Sequence, residues 1–193
     1  MSYSMATTDT GEQGDRAGGP GGYTLVEMLV VLAIVAILVS GAVPFLSSMI
    51  NNNRLTAQFN QLVGTLQFAR SEAIRRQTSV TVCSSNDGAS CGGNWQDGWI
   101  VLAQGAVVKS SPGLPDNTTL RFNLSSGAAN DRILFDSRGF SINYAGFWTL
   151  CDARGVNDAR GILVASTGRV INARDANHNG IVEDTGGSDL SCP

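Results

Sequence analysis

The chain has one histidine, His178, one lysine, Lys109, and no Cys-x-x-Cys pair in 193 residues. Each scarcity removes a class of chemistry. A zinc centre built on cysteine and histidine lacks its ligands, and dithiol redox catalysis lacks its motif. Serine or cysteine nucleophiles have only His178 to serve as base, and it sits in a polar, turn-like tail. No phosphate-cradling glycine loop and no dinucleotide fingerprint occurs. The sequence therefore points away from an enzyme. Charge is sparse as well, at 15% of residues with a net of −3, which argues against broad electrostatic binding of nucleic acid. What charge there is has been segregated. None falls between Met28 and Val43, whereas five charged residues lie between Asn51 and Arg76. Only one stretch is long and apolar enough to span a bilayer, so the chain is not polytopic.

That stretch opens the case for function. Residues 1–22 are polar and glycine-rich with no apolar period, the composition of a disordered leader. Tyr23 to Val43 is an apolar run of 21 residues, and a helix of that length covers about 31 Å, one hydrocarbon thickness. Pro44 removes an amide donor just beyond it, which predicts a kink or a break. Glu27 is the anomaly. A carboxylate five residues into a membrane helix costs roughly 2.5 kcal/mol or more and calls for a partner. No lysine or arginine lies between Gly22 and Arg54. Cleavage after Gly22 makes that partner, because it creates an α-amino group on Tyr23 one helical turn from Glu27. In a packed assembly the amine of one subunit can equally pair with Glu27 of its neighbour.

Gly22-Tyr23-Thr24-Leu25-Val26-Glu27 followed by the apolar run resembles the N-terminal signature of type IV pilins and pseudopilins. The resemblance implies cleavage after Gly22 by a prepilin peptidase, N-methylation of Tyr23, and Glu27 as the guide for assembly. It also implies other pilin or pseudopilin subunits and inner-membrane lipid as partners, with the C-terminal domain in the periplasm. Tyr23 replaces the usual phenylalanine, and Asp9, Glu12 and Asp15 outnumber Arg16 in the leader, so positive-inside logic has little purchase. Two other readings compete: an ordinary secretory signal processed near Val39-Ser40-Gly41-Ala42, and a plain single-span anchor. A secretory n-region is positive, and an internal Glu27 is foreign to its apolar region.

Beyond Pro44 a helical period resumes. Leu55, Phe59, Leu62, Leu66, Ala69 and Ala73 advance in steps of three and four, one apolar stripe of a helix ending near Arg76. From Thr78 the period becomes two. Strands are predicted at 79–83, 98–102, 106–109, 118–123, 132–136, 142–150, 161–165 and 169–172. The expected fold is α+β: a long N-terminal helix, its first half membrane-spanning, packed against an antiparallel sheet. Trp95, Trp99 and Trp148 are assigned to the core or to a sheet face. The organisation is a leader over 1–22, a transmembrane and assembly helix over 23–43, an amphipathic extension over 44–77, and a β-rich domain over 78–193. Within the last two, Arg70-Ser71-Glu72-Ala73-Ile74-Arg75-Arg76 leading into Val80-Thr81-Val82-Cys83, then Cys91, Trp95 and Gly98-Trp99-Ile100-Val101, resembles the FimT/GspH-type pseudopilin domain. Phe147-Trp148-Thr149-Leu150-Cys151-Asp152 and Ser166-Thr167-Gly168-Arg169-Val170 extend the likeness. The resemblance implies a minor type IV pilin, with a type II secretion pseudopilin and a DNA-binding minor pilin for natural transformation as alternatives.

Cys83, Cys91, Cys151 and Cys192 all lie outside the span, and in an oxidising compartment they would pair. Three connectivities are open. The preferred one joins Cys83 to Cys91 across a short glycine-containing loop and Cys151 to Cys192, pinning the tail.

Two further motifs are binding candidates. Asp175, Asn177 and Asn179 place oxygen donors at alternate positions, with Gly180 for a sharp turn and Ile181 for a backbone carbonyl. This is the first half of a calcium loop. The twelfth position is Gly186, so Glu183, Asp184 or Asp189 must supply the missing carboxylate; the alternative is a solvated turn. The resemblance also suggests DNA as a partner through a Gly-Arg-x-Arg element. Gly168-Arg169-Val170-Ile171 keeps the first arginine only, and Arg174 follows three residues on, with Arg154 and Arg160 as prospective neighbours. Without Arg16, Asp9, Glu12 and Asp15 the processed chain has 12 basic and 13 acidic residues. Phosphate contacts would need a local cluster.

Overall fold

The structure, a computed structural model, describes residues 22–115, 117–124, 132–184 and 186–192, with the side chains of 42–44 excepted. Apart from Gly22, the expected disordered leader lies outside the described residues. The chain divides into two units, Met1–Leu46 and Ser47–Pro193.

Helix α1 spans Leu25–Arg76. It is one element, so the break considered at Pro44 does not occur. A proline removes one rung of the i→i−4 ladder, and the rungs on either side carry the helix past it. Thr24 starts the helix: its carbonyl accepts from the Met28 amide and its hydroxyl from the Glu27 amide, each at 3.2 Å. That is N-cap geometry, satisfying donors that the first turn leaves orphaned. In the first unit, the described apolar side chains from Leu25 to Val39 are exposed. The helix is long and apolar enough to cross a membrane.

The second unit holds the core. The stripe Leu55, Phe59, Leu62, Leu66, Ala69 and Ala73 is buried, no member more than 6% exposed. Thr65 on the same face accepts from the indole Nε1 of Trp99 at 3.3 Å. Eight strands follow: β1 (Val80–Ser84), β2 (Gly98–Ala103), β3 (Ala106–Pro112), β4 (Thr118–Leu124), β5 (Arg132–Phe135), β6 (Gly146–Asp152), β7 (Arg160–Val164) and β8 (Val170–Asn172). They form two antiparallel four-stranded sheets, ordered β3-β2-β1-β5 and β4-β6-β7-β8, where one sheet was expected. The eight predicted strands are all present. The largest shift is at β6, which starts at Gly146 rather than residue 142, because Ser141 to Tyr144 closes a turn through the Tyr144 amide and Ser141 carbonyl. Alternation is clean in β4, where Thr118, Leu120, Phe122 and Leu124 point inward while Arg121 and Asn123 face out. All three tryptophans are buried, and Trp95, Phe122 and Trp148 pack ring against ring, with Phe122 and Trp148 stacked at 4.1 Å.

β6 is buried on both faces up to Cys151. Trp148 and Leu150 face the main core, whereas Phe147 and Cys151 join Ala159 and Leu190 in a second cluster. The C-terminal tail supplies that outer cover. Its Leu190 amide bonds the Val182 carbonyl, and the Cys151–Cys192 disulfide ties its end to β6. A second bridge, Cys83–Cys91, closes the loop after β1.

Candidate functional site

Glu27 is the third residue of α1, counted from the cap at Thr24. Thr24-x-x-Glu27 is the capping-box spacing, in which an acid favours the positive end of the helix dipole. Among the described residues its carboxylate has no ion-pair partner. Tyr23 precedes the helix and is 75% exposed. Gly22, Tyr23 and Glu27 therefore sit together at the open head of an uncovered apolar helix. Thr24 is the functional residue that the sequence reading passed over, although the Thr-x-x-Glu signature was there to find.

The helix C-terminus makes a second candidate region. Glu72 accepts from Arg75 at 2.8 and 2.7 Å and from Arg76 at 2.6 Å. These hydrogen bonds, Arg75 first, hold its carboxyl down at about 2. Two residues before Glu72, Arg70 donates Nε to the Gly139 carbonyl at 3.1 Å and a terminal nitrogen to the Thr167 carbonyl at 3.3 Å. Gly168 completes the clasp. It is buried with φ +73°, and a Cβ there would lie 1.8 Å from the Gly139 carbonyl oxygen. Only glycine allows two backbones that close while holding a left-handed conformation. The glycine of Gly168-Arg169 is thus a packing requirement, and it presents Arg169 to solvent beside Arg70.

The expected arginine cluster is not assembled. Arg169 borders a groove with Arg70 and Ile74, whereas Arg174 borders a different one with Phe147 and Ile171. Arg154 spans two acids, Asp152 at 2.7 Å and Asp158 at 2.9 Å. Burial works against ionising Asp152, yet the Arg154 hydrogen bonds leave its carboxyl below its ordinary value. Arg160 donates to Asn52 at 3.0 Å and lies over the Phe59 ring. Two of the four arginines are therefore committed to structure, and Arg169 and Arg174 line separate grooves.

The tail loop closes on itself. Asp175 accepts from the amides of His178 and Gly180, Asn177 from that of Asn179, and Asn179 from that of Ile181. Glu183, placed among the calcium ligands by the sequence, is buried and spends one oxygen on the Ala176 amide and the other on the Asn177 amide. These two bonds staple the loop. Asp189 takes the side-chain amides of Asn177 and Asn179. Among the described residues no group of three or more histidine, cysteine, aspartate or glutamate side chains is gathered to hold a metal.

Comparison with known proteins agrees with this geometry. The family described as "Type II transport protein GspH" matches residues 58–168, more than half of the chain, from the buried stripe of α1 to Gly168. The prokaryotic N-terminal methylation motif matches residues 20–43, enclosing Gly22, Tyr23 and Glu27. No curated protein matches the chain. The fold is similar to the type IV minor pilin FimU of Pseudomonas aeruginosa, at 22% identity and a TM-score of 0.51, over 63% of this chain and 90% of FimU. A second crystal form of FimU gives 21% identity and a TM-score of 0.46, over 60% of this chain and 89% of that one. With the methylation motif at the head of its apolar helix and the matching domain behind it, the chain belongs to the GspH family of type IV pilin-like proteins and pseudopilins, which are structural subunits and not enzymes.

Proposed function

We propose that the chain is a minor pilin or pseudopilin held in the inner membrane by residues 23–43 of α1, with residues 44–77 as its extension and 78–193 as a periplasmic domain. A prepilin peptidase cuts after Gly22, the new amine on Tyr23 is methylated, and the processed subunit enters a type IV pilus or a type II secretion pseudopilus beside other pilin subunits. The carrying observation is the arrangement at the head of α1. Glu27, the one charged residue of the apolar first half of α1, lies one turn from the amine that cleavage at Gly22 would create. In lipid that amine is its natural counter-ion, on the same subunit or the next. Two disulfides in a cysteine set with no free thiol among the described residues fit an oxidising compartment.

Mass measurement and N-terminal sequencing of the protein recovered from cells test this reading, with Tyr23 as a methylated first residue as the expected result. Recovery with residue 1 attached, or trimmed past Ala42, refutes it. Glu27→Ala should leave membrane insertion intact and impair filament incorporation. A deletion strain distinguishes the two systems, by loss of twitching and transformation or by loss of exoprotein secretion.

A further inference from the structure

Among the described residues, four large hydrophobic side chains beyond the first half of α1 are exposed: Ile74, Val107, Phe140 and Ile142. Three of them belong to one end of the second unit. Ile74 lies on the last turns of α1, against the loop that carries Phe140 and Ile142. The two are in close approach, since a Cβ on Gly139 would stand 2.7 Å from the Ile74 Cδ1. The loop is held in place by the Ser141 amide on the Ser166 carbonyl and by the Asp136 carboxylate, which accepts from the amides of Arg138 and Phe140.

Arginines rim this apolar patch. Arg70 is fixed on two carbonyls beside Ile74. Arg138 lies over the Phe140 ring at 5.4 Å, and only its Asp136 contact, at 3.3 Å, offsets its charge. Arg169 is exposed in the same groove as Arg70 and Ile74, about 360 Å³ in volume, and its guanidinium meets no partner among the described residues. Glu72 is already taken up by Arg75 and Arg76 on the far side of the helix turn. Three exposed apolar side chains and three arginines are thus gathered around the Gly139 loop, with Arg70 fixed in place and Arg169 free among the described residues.

We infer that this end of the domain docks a partner protein through a segment that carries carboxylates around a bulky apolar side chain. Arg169 supplies a free bidentate fork for a carboxylate, and Arg70 and Arg138 add positive charge beside it. Ile74, Phe140 and Ile142 supply the desolvated centre that hot spots need. Ile74 and Ile142 are aliphatic and give a base no ring to stack on, which favours a protein over nucleic acid.

The test uses the full chain in phosphatidylcholine nanodiscs, with a fluorescent peptide alternating Glu and Phe as probe and empty nanodiscs subtracted. Saturable binding is expected, weakened about ten-fold or more by Arg169→Glu and by Ile142→Ser. Val107→Ser, on β3 at the opposite edge of the sheet from β5, should change nothing. All three positions are exposed, and unchanged tryptophan emission verifies the fold of each variant. A Gln–Phe peptide and polyglutamate should each bind at least ten-fold more weakly, since each keeps one half of the chemistry. Absence of binding overturns the inference, as does equal binding by either control peptide or indifference to both substitutions. Tighter binding of oligothymidylate than of the Glu–Phe peptide overturns it in favour of a nucleic-acid face.

Discussion

Cutting one disulfide should cost far more than cutting the other, and loop length says by how much. Cys151 and Cys192 are 41 residues apart, Cys83 and Cys91 only 8. In the chain-entropy account, cross-linking the longer loop removes about 4 kcal/mol of unfolded-state freedom and the shorter about 2.5 kcal/mol. The perturbations are Cys192→Ala and Cys91→Ala, each removing the more exposed partner. Each leaves Cys151 or Cys83 behind as a small buried hydrophobe. Packing widens the gap, because the tail that Cys192 anchors places Leu190 in the cluster over β6, and losing that burial adds up to about 2 kcal/mol. Trp148, three residues before Cys151 and fully buried, reports the transition by its own fluorescence. For a domain of this size a 4 kcal/mol loss lowers the melting temperature by roughly 8–16 °C, and 2.5 kcal/mol by roughly 5–10 °C. Thermal melts of the two variants in detergent decide the matter. Equal shifts, or a larger one for Cys91→Ala, would refute the loop-length reasoning.

Three other perturbations follow from single contacts. Thr65→Val should destabilise by about 1–3 kcal/mol, since it leaves the Trp99 indole N–H buried without its acceptor; urea titration measures it. Glu72 anchors Arg75 and Arg76, and its folded carboxyl is held at about 2, below its ordinary 4.5. Its contribution is therefore fully present above 4.5 and lost as pH falls towards 2; acid titration of the helix dichroism should show a component in that window that Glu72→Gln lacks. Gly168→Ala forces a Cβ onto the Gly139 carbonyl in a left-handed conformation, so it should cost more than about 2 kcal/mol by chemical denaturation.

Periodicity made most of the fold legible. Leu55, Phe59, Leu62, Leu66, Ala69 and Ala73 are the buried face of α1 because a 3.6-residue period leaves few other uses for such a stripe. The strands were equally visible, since β-branched runs alternate between turn-forming residues. Two features were not legible. The division into two sheets depends on which strands pair, and β5 joins β1 across residues that belong to other strands, a long-range choice that local pattern does not record. The double burial of β6 arises from a tail some forty residues distant, and a wholly buried strand shows the same continuous apolar text whatever covers it.

The candidate sites divide along the same line. Gly22, Tyr23 and Glu27 stand out because the anomaly is local: one acid in an uncharged apolar run needs a cation, and a cut after Gly22 would place one a helical turn away. Arg169 was read as half of a binding element, yet the reason for the glycine before it lies in the Gly139 carbonyl and the Arg70 guanidinium, contributed by other parts of the chain. A two-residue motif thus carries two separate constraints. Gly168 is held by backbone contact and tolerates no side chain, while Arg169 projects from that clasp with its charge unused. Substituting Arg169 should therefore leave the fold unchanged and alter only what docks there, whereas any change at Gly168 disturbs both, so the arginine alone separates interaction from architecture at this end of the domain.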